Sequence, residues 1–305
     1  MDKETPHSAE QFGKQRDHWW NPDFFSLLCS RWNLTGKKTV ADIGCGLGHW
    51  SALLLNALDA GSRLVGVDRE EKWVRRAGAS IRNRLDHPDN YELDFRQGDA
   101  ANLPLKNNEF DIVTCQTVLM HLVSPKHGLT EMVRVARPGG LILCVEPDNF
   151  LNYIEYDSLT EDRSLDDLVD HYRFWLCVHR GRIKAGEGND SIGRLLPGFF
   201  TELGLEDVQV VLADKANRIV PPYSTPSERE WLSQLDEWYS TNTGLYDYEK
   251  LRGYASLVEP NQEWIESRLA SLNASHHRLM TAIEQGRYHT AGGNLLFVVW
   301  GKKPK

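Results

Sequence analysis

Short apolar runs alternate with amphipathic helical patterns along the first half of the chain. The segments 39–43, 63–68, 91–99, 110–115 and 141–145 have the pattern of strands, and apolar residues recur at helical spacing between them. Short strands that alternate with helices of about 10–15 residues predict βαβ units and a parallel sheet covered on both faces. The sequence therefore predicts an α/β fold.

Further helices are predicted around this alternating region. Two precede the first strand, around Ala9–Trp19 and Pro22–Trp32. Ser124 followed by Pro125 is typical of a helix start, with serine as the N-cap, and the segment 137–140 is expected to end that helix.

The strict alternation ends after Asp148. Residues 149–190 and 221–290 have mainly helical patterns, including a helix capped by Ser164. A helix over 191–203, a strand over 208–212 and a final strand over 294–301 are predicted around them. We therefore expect one domain over 1–305, and its predicted parts are an N-terminal helical cap over 1–37, a cofactor-binding core over 38–148, and the two insertions as a mobile helical lid.

Composition narrows the possible partners. The 305 residues are 41% hydrophobic and 26% charged, as in an ordinary globular protein, and the net charge of −8 disfavours a nucleic-acid partner. No apolar run approaches the ~18–20 residues that span a bilayer, and the first twenty residues lack the pattern of a secretory signal. Five scattered cysteines without a CxxC pair predict neither disulfides nor a metal site, which favours the cytoplasm.

The most specific motif is the glycine-rich turn that follows the first predicted strand, Asp42-Ile-Gly-Cys-Gly-Leu-Gly48. Glycines at a strand-to-helix turn let a ligand approach the backbone closely. The spacing is GxGxG, whereas the dinucleotide fingerprint is GxGxxG. Asp42 would repel a pyrophosphate but suits the ammonium group of a methionine moiety.

Two further acidic residues end the next two predicted strands. Asp68 follows Gly48 by 20 residues, where a carboxylate accepts hydrogen bonds from ribose hydroxyls. Asp99 is placed to accept the exocyclic amine of an adenine, with the Ala100 amide beside it. Three acids at consecutive strand ends, together with the glycine turn, predict a nucleoside site.

The chain resembles the class I S-adenosylmethionine (SAM)-dependent methyltransferases, especially the type 11 group that includes the ubiquinone and menaquinone methyltransferases. The matching segments are VADIGCGLG (40–48), LVGVD (64–68), QGDAANLP (97–104), FDIVTCQTVLMHL (110–122) and ARPGGLILCVEPD (136–148). The resemblance implies a Rossmann-like, seven-stranded sheet with an antiparallel last strand. It also implies SAM contacts at Gly44, Gly46, Asp68, Asp99, Ala100 and Gln116. The N-terminal helices of such proteins close over the cofactor, so Trp19 and Trp20 would either contact it or pack in the core.

The catalytic residues are not identified by sequence. Methyl transfer from a sulfonium is an in-line displacement, so the enzyme chiefly aligns the reactants and excludes water. His121, which follows the fourth strand, is a candidate for a base, with structural packing as the alternative. Glu146 and Asp148 are expected to face the same rim, where they would either orient an acceptor or stabilise a turn. His276 is interpreted as a core histidine or as a lid residue that faces the acceptor.

The acceptor is expected to be a small molecule. The two insertions are rich in tyrosine and tryptophan, which would favour an apolar, aromatic or cationic acceptor if they lined its pocket. The same aromatic residues would otherwise form the core of the lid. S-adenosylhomocysteine (SAH) is the expected product.

Other classes of function stay open at this point. A SAM-binding protein without catalytic activity would carry the same turns. A methyltransferase that acts on a protein or nucleic acid is also possible, although CQTV (115–118) stands where amine-methylating nucleic-acid enzymes have a proline-rich aromatic motif. An NAD(P)-dependent oxidoreductase is disfavoured by the GxGxG spacing and Asp42.

Overall fold

The computed structural model describes residues 13–150, 153–154, 156–293 and 295–305. The strands of the described residues are β1 (Thr39–Ile43), β2 (Arg63–Asp68), β3 (Glu92–Gln97), β4 (Phe110–Gln116), β5 (Ala136–Pro147), β6 (Glu206–Leu212), β7 (Asn217–Ile219), β8 (Thr290–Gly292) and β9 (Leu296–Lys302). The α-helices are α1 (Pro22–Trp32), α2 (His49–Leu55), α3 (Glu71–Arg82), α4 (Pro125–Val135), α5 (Leu165–Lys184), α6 (Leu196–Glu202), α7 (Pro226–Thr241), α8 (Tyr248–Ser256) and α9 (Gln262–Glu284).

The main sheet has seven strands in the order β3-β2-β1-β4-β5-β9-β6. Strands β1 to β5 are mutually parallel, and β9 is antiparallel to both of its neighbours, β5 and β6. The predicted α/β fold with a seven-stranded, mostly parallel sheet is therefore confirmed. Strand order reverses between β1 and β4, and ligands of such sheets bind at the carboxyl ends of the strands beside this point.

Each face of the sheet is covered by its own apolar layer. One layer packs α1 and α2 against the sheet through residues such as Leu28, Trp32 and Leu54. The other packs α4 and α6 through residues such as Leu129, Met132 and Phe200. The central strands β1 and β4 are buried along nearly their whole length, as expected for strands covered on both sides.

The long insertions form a helical subassembly. Helices α5, α8 and α9 share a core that includes Phe174, Leu251 and Ile265. Helix α5 contacts α8 so closely that a Cβ on Gly181 would lie 2.0 Å from the carbonyl oxygen of Tyr254. The small antiparallel pair of β7 and β8 joins the two ends of the second insertion.

Several local predictions differ from the structure. A 3₁₀ helix at Gly13–His18 stands where a helix over Ala9–Trp19 was predicted, and residues 1–12 lie outside the described residues. The helix over 191–203 is split into a 3₁₀ turn, Gly193–Leu195, and α6. Helix α4 begins at Pro125, but the Ser124 side chain makes no capping hydrogen bond.

The segment 137–140 belongs to a strand. Helix α4 ends at Val135 and β5 begins with the next residue, because the chain after β9 pairs with this segment. Gly139 donates to the carbonyl of Lys303 at 2.8 Å, and Lys303 donates to the carbonyl of Gly140 at 2.9 Å. By contrast, the predicted Ser164 cap is confirmed, since its hydroxyl accepts the Asp167 amide at 3.2 Å.

Candidate active site

A cavity of about 680 Å³ opens at the carboxyl ends of β1, β2 and β4. Its wall includes seven residues predicted from sequence to contact the cofactor, which are Asp42, Gly44, Gly46, Asp68, Asp99, Ala100 and Gln116, whereas Trp19 and Trp20 do not line it. The topology brings these residues together because parallel strands all end at the same edge of the sheet.

The glycine turn between β1 and α2 is tightly packed. Gly44 has φ +68° and Gly48 has φ +76°, a region that favours glycine. A Cβ on Gly44 would lie 2.5 Å from Cγ2 of Val118, and one on Gly48 would lie 2.1 Å from Cγ1 of Ile81. The turn is further held by the Gly44 amide, which donates to the Val67 carbonyl at 2.7 Å.

Asp68 at the end of β2 is tied to this turn. Its Oδ2 accepts the Gly46 amide at 2.9 Å and its Oδ1 accepts the Glu70 amide at 2.9 Å. Partial burial raises the pKa of Asp68, while these two amide hydrogen bonds lower it. Each carboxylate oxygen can accept a second hydrogen bond, so Asp68 retains the capacity to bind ribose hydroxyls.

Asp42 lies at the floor of the cavity and is only 1% exposed. Burial raises the pKa of Asp42 to about 7, although the hydroxyl of Ser51 donates to its Oδ2. A cation bound nearby would favour the ionised form of this carboxylate.

Asp99 and Gln116 complete the cofactor side of the cavity. The exposed Asp99 accepts the Ala101 amide at 2.8 Å through Oδ1. Nε2 of Gln116 is buried and has no hydrogen-bond partner in the described part of the chain. A buried amide donor without a partner is costly, which is consistent with a ligand at this position.

The N-terminal 3₁₀ helix is fixed against the glycine turn. Asp17 Oδ1 lies 2.7 Å from Nδ1 of His49 and accepts Nε of Arg84 at 3.2 Å. Trp20 stacks on Trp50 with ring centroids 5.2 Å apart. Because Asp17 is held in this way, the adjacent Arg16 is placed in the cavity wall, a residue that sequence reasoning did not single out.

The prediction that Glu146 faces the same rim as His121 is wrong. Glu146 is fully buried and does not line the cavity. Its carboxylate accepts the amides of Val118 and Leu119, both at 2.8 Å, and of Met120 at 3.2 Å. Burial raises the pKa of Glu146 to about 7. Glu146 therefore holds the loop that leads to His121 by hydrogen bonds from beneath the cavity wall.

The neighbouring carboxylate and the two histidines have different surroundings. Asp148 is also fully buried and forms an ion pair with Arg194, so it does not face the rim. His121 lines the cavity beside Gln116. His276 is 8% exposed, and its Nδ1 lies 2.6 Å from the hydroxyl of Tyr248, which places it in the core of the lid. Burial lowers the pKa of His276 to about 3.

The lid contributes different residues from those expected. Within the described residues, the insertions add only Gly186, Glu187 and Lys250 to the cavity wall, and their aromatic side chains do not line it. Tyr153 instead stacks on Trp175 with centroids 5.5 Å apart, inside the lid core. The two glycines that flank Glu187 were the only sequence signal for this loop, and Lys250 carried none.

The residues of the cavity fit SAM. The unpartnered Gln116 amide and the spare acceptor capacity of Asp68 suit the polar groups of a nucleoside. The buried Asp42 and the cationic Arg16 suit the ammonium and carboxylate groups of an amino acid. These complementary ends lie in one cavity, as a nucleoside joined to an amino acid requires.

Comparison with known proteins identifies a methyltransferase domain in this chain. Residues 41–144 match the family model for the type 11 methyltransferase domain. The demethylmenaquinone methyltransferase of Lactiplantibacillus plantarum is 32% identical over 114 residues, which cover 37% of this chain and 47% of that protein. The demethylmenaquinone methyltransferase of Oceanobacillus iheyensis is 30% identical over 132 residues, 43% of this chain and 52% of that protein. The chain thus spans about half the length of these curated relatives.

Solved structures share the fold. The BH2331 protein of Bacillus halodurans C-125 superposes with a TM-score of 0.53 at 18% identity, covering 93% of this chain and all of that chain. The YcgJ protein of Bacillus subtilis gives a TM-score of 0.51, also at 18% identity and with the same coverage. The topology of the sheet and the match of residues 41–144 to a methyltransferase domain together define a Rossmann-like methyltransferase fold. Residues 41–144 are thus similar to the type 11 methyltransferase domain, and these findings support a class I SAM-dependent methyltransferase with SAM as the methyl donor.

Proposed function

We propose that this protein transfers the methyl group of SAM to a small-molecule acceptor and releases SAH. The observation that carries the proposal is the single cavity that joins the glycine turn, Asp68 and Gln116 to a second, lid-covered half. A cofactor bound at the strand ends would direct its reactive end toward that second half.

We propose one role for each residue on the cofactor side. Asp68 binds the ribose hydroxyls, and Asp99 with the Ala100 amide binds the adenine. Gly44 and Gly46 allow SAM to approach the backbone, and Asp42 stabilises the ammonium group of SAM. Gln116, at the end of β4, donates a hydrogen bond to a polar group of SAM. The geometry behind these roles is the shared cavity wall.

When bound, SAM supplies an electrophilic methyl group attached to a positively charged sulfur. The protein's contribution is to align an acceptor lone pair with that methyl group and to exclude water. The loop over 118–121, held by Glu146, and the lid residues 186–187 enclose the acceptor side. His121 is placed to contact the acceptor there, and a base role for it stays a prediction.

The small size of the acceptor is supported by how the cavity is enclosed. The α5–α8 subassembly contributes Gly186, Glu187 and Lys250 to one side of the wall. Gly188 packs directly on the loop over 118–121, since a Cβ there would lie 2.1 Å from the Met120 carbonyl oxygen. No helix in the described part of the chain is long and apolar enough to cross a membrane. The described cysteines are unpaired, which supports our proposal of a cytoplasmic location.

Transfer can be tested with SAM that carries an isotopically labelled methyl group. The protein is incubated with labelled SAM and a cell extract, and the extract is then separated into small molecules, protein and nucleic acid. We expect label in the small-molecule fraction, and none with the Asp68→Ala variant. Label in protein or nucleic acid would contradict the small acceptor, and SAM binding without any transfer would indicate a non-catalytic SAM-binding protein.

A further inference from the structure

The acceptor half of the cavity is lined by charged residues of the lid. Within the described residues, the two insertions place Glu187 and Lys250 in the wall, beside Gly186. The aromatic residues of the insertions pack among themselves, as Tyr246 does against His276 at a ring-centroid distance of 4.0 Å. Apolar residues of the loop after β4, among them Val118 and Leu122, line the wall as well, so the contribution of the lid itself is the charged pair Glu187 and Lys250.

Glu187 is held in a fixed position. Its amide donates to the carbonyl of Arg182 at 3.0 Å, and its Oε2 accepts the hydroxyl of Tyr254. The loop that carries it turns at Gly186 (φ +79°) and Gly188 (φ +84°). Because Gly188 packs on the Met120 carbonyl, the loop is docked on the wall that carries His121. The Glu187 carboxylate is thus preorganised beside the cavity.

Lys250 approaches the same space from the second insertion. It precedes Tyr254 by four residues on α8, so the two side chains lie on one face of that helix. Tyr254 contacts Glu187, and this face of α8 is therefore directed toward the Glu187 loop. Lys250 is half-buried in the cavity wall, and its ammonium forms no ion pair within the described residues.

We propose that Lys250 and Glu187 select an acceptor that carries an acidic group, either a carboxylate or a phosphate. Lys250 binds the acidic group as a point charge, which suits both. Glu187 accepts a hydrogen bond from the O–H or N–H of the acceptor atom, and it takes this proton as the methyl group passes from the sulfur of SAM to that atom, which leaves SAH and the methylated acceptor. This inference rests on the proposed function, because it places the acceptor beside bound SAM.

The test uses the full-length protein saturated with SAH and measures ligand binding by calorimetry. The acidic probes are glycolate, salicylate, beta-alanine and glycerol phosphate, and each is paired with a counterpart that lacks only the negatively charged group: glycolamide, salicylamide, beta-alaninamide and glycerol. We expect at least one acidic probe to bind about tenfold or more tightly than its counterpart. The phosphate and carboxylate pairs distinguish the two kinds of acid.

Three variants assign the effect to these residues. Lys250→Gln should abolish the preference for the acidic probe, and Lys250→Arg should retain it. Glu187→Gln should weaken the binding of glycolate but not that of acetate, because acetate has no hydrogen-bond donor. Lys184→Gln is the matched control, because Lys184 binds the Leu257 carbonyl outside the cavity. Equal binding within every pair, no acidic binder at all, or an unchanged preference in Lys250→Gln would overturn the inference. Failure of the wild-type protein to bind SAH would instead overturn the proposed function, and this inference with it.

Discussion

The carboxylate of Asp68 accepts a hydrogen bond of 2.9 Å from the backbone amide of Gly46. This contact joins the end of β2 to the middle of the glycine turn after β1. The residue assigned to the ribose therefore also fixes the turn that receives the rest of the cofactor. The same carboxylate accepts the amide of Glu70, so both of its oxygens are oriented before a ligand binds.

Asp68→Ala should weaken the binding of SAH at least tenfold, or about 1.4 kcal/mol. The loss comes from the ribose hydrogen bonds and from the freed Gly46 amide. Calorimetric titration of the folded variant measures it. Asp94→Ala is the control, because Asp94 pairs with Arg96 on β3 and does not line the cavity. Unchanged affinity in Asp68→Ala would show that the ribose lies elsewhere.

Gly44→Ala should abolish measurable SAH binding, because its Cβ would lie 2.5 Å from Val118 and would distort the turn. Gly36→Ala is a matched control. Gly36 has φ +74°, so the substitution carries a similar backbone cost of about 1–2 kcal/mol, but nothing lies within 4 Å of its Cβ. Thermal unfolding should show both variants destabilised, and only Gly44→Ala should lose the ligand. Equal affinities in the two variants would contradict the assigned turn.

Arg16→Gln should weaken the binding of SAH about tenfold. The affinity for 5′-methylthioadenosine, which lacks the amino-acid group, should stay within about twofold of the wild-type value. Arg16 lines the cavity next to Asp17, which the hydrogen bonds to His49 and Arg84 hold in place. Burial lowers the pKa of Arg16 to about 10, so the guanidinium stays charged at neutral pH. Parallel titrations of the two ligands provide the measurement, and equal losses for both would refute a carboxylate contact.

The affinity for SAH should rise with pH through about 7. Because the pKa of Asp42 is raised to about 7, the free protein holds a proton on Asp42 below that pH. The ammonium of the ligand favours the ionised carboxylate, so binding releases this proton. Below pH 7 the affinity should therefore fall by up to about tenfold per pH unit.

Calorimetry in two buffers of different ionisation enthalpy detects the released proton. In Asp42→Asn the proton release should disappear, and the pH dependence should flatten relative to the wild-type protein. All other residues of the cavity wall are present in both proteins, so their contributions cancel in this comparison. Identical pH profiles would show that Asp42 does not face the ammonium group.

The sheet and the cofactor side of the cavity were predictable because their signals are local. The segment 42–48 contains its own turn, and Asp68 and Asp99 follow strands whose apolar pattern is continuous. The parallel topology then brings the strand ends together without further information. The structure places seven of the predicted cofactor residues in one cavity wall.

The acceptor side was not predictable for the opposite reason. Glu187 and Lys250 are 63 residues apart, and only the packing of α5 on α8 brings them to one cavity. The burial of Glu146 likewise depends on the loop over 118–120, which folds back over the end of β5 to bind it. The abundance of aromatic residues in the insertions reflects the core of the lid and not its inner surface.

The central claim is that the cavity at the ends of β1, β2 and β4 binds SAM. The most direct test is calorimetric titration of the purified protein with SAM, SAH and NADH. We predict micromolar binding of SAM and SAH, one ligand per chain, and no binding of NADH. Binding of NADH without binding of SAM or SAH would contradict the account.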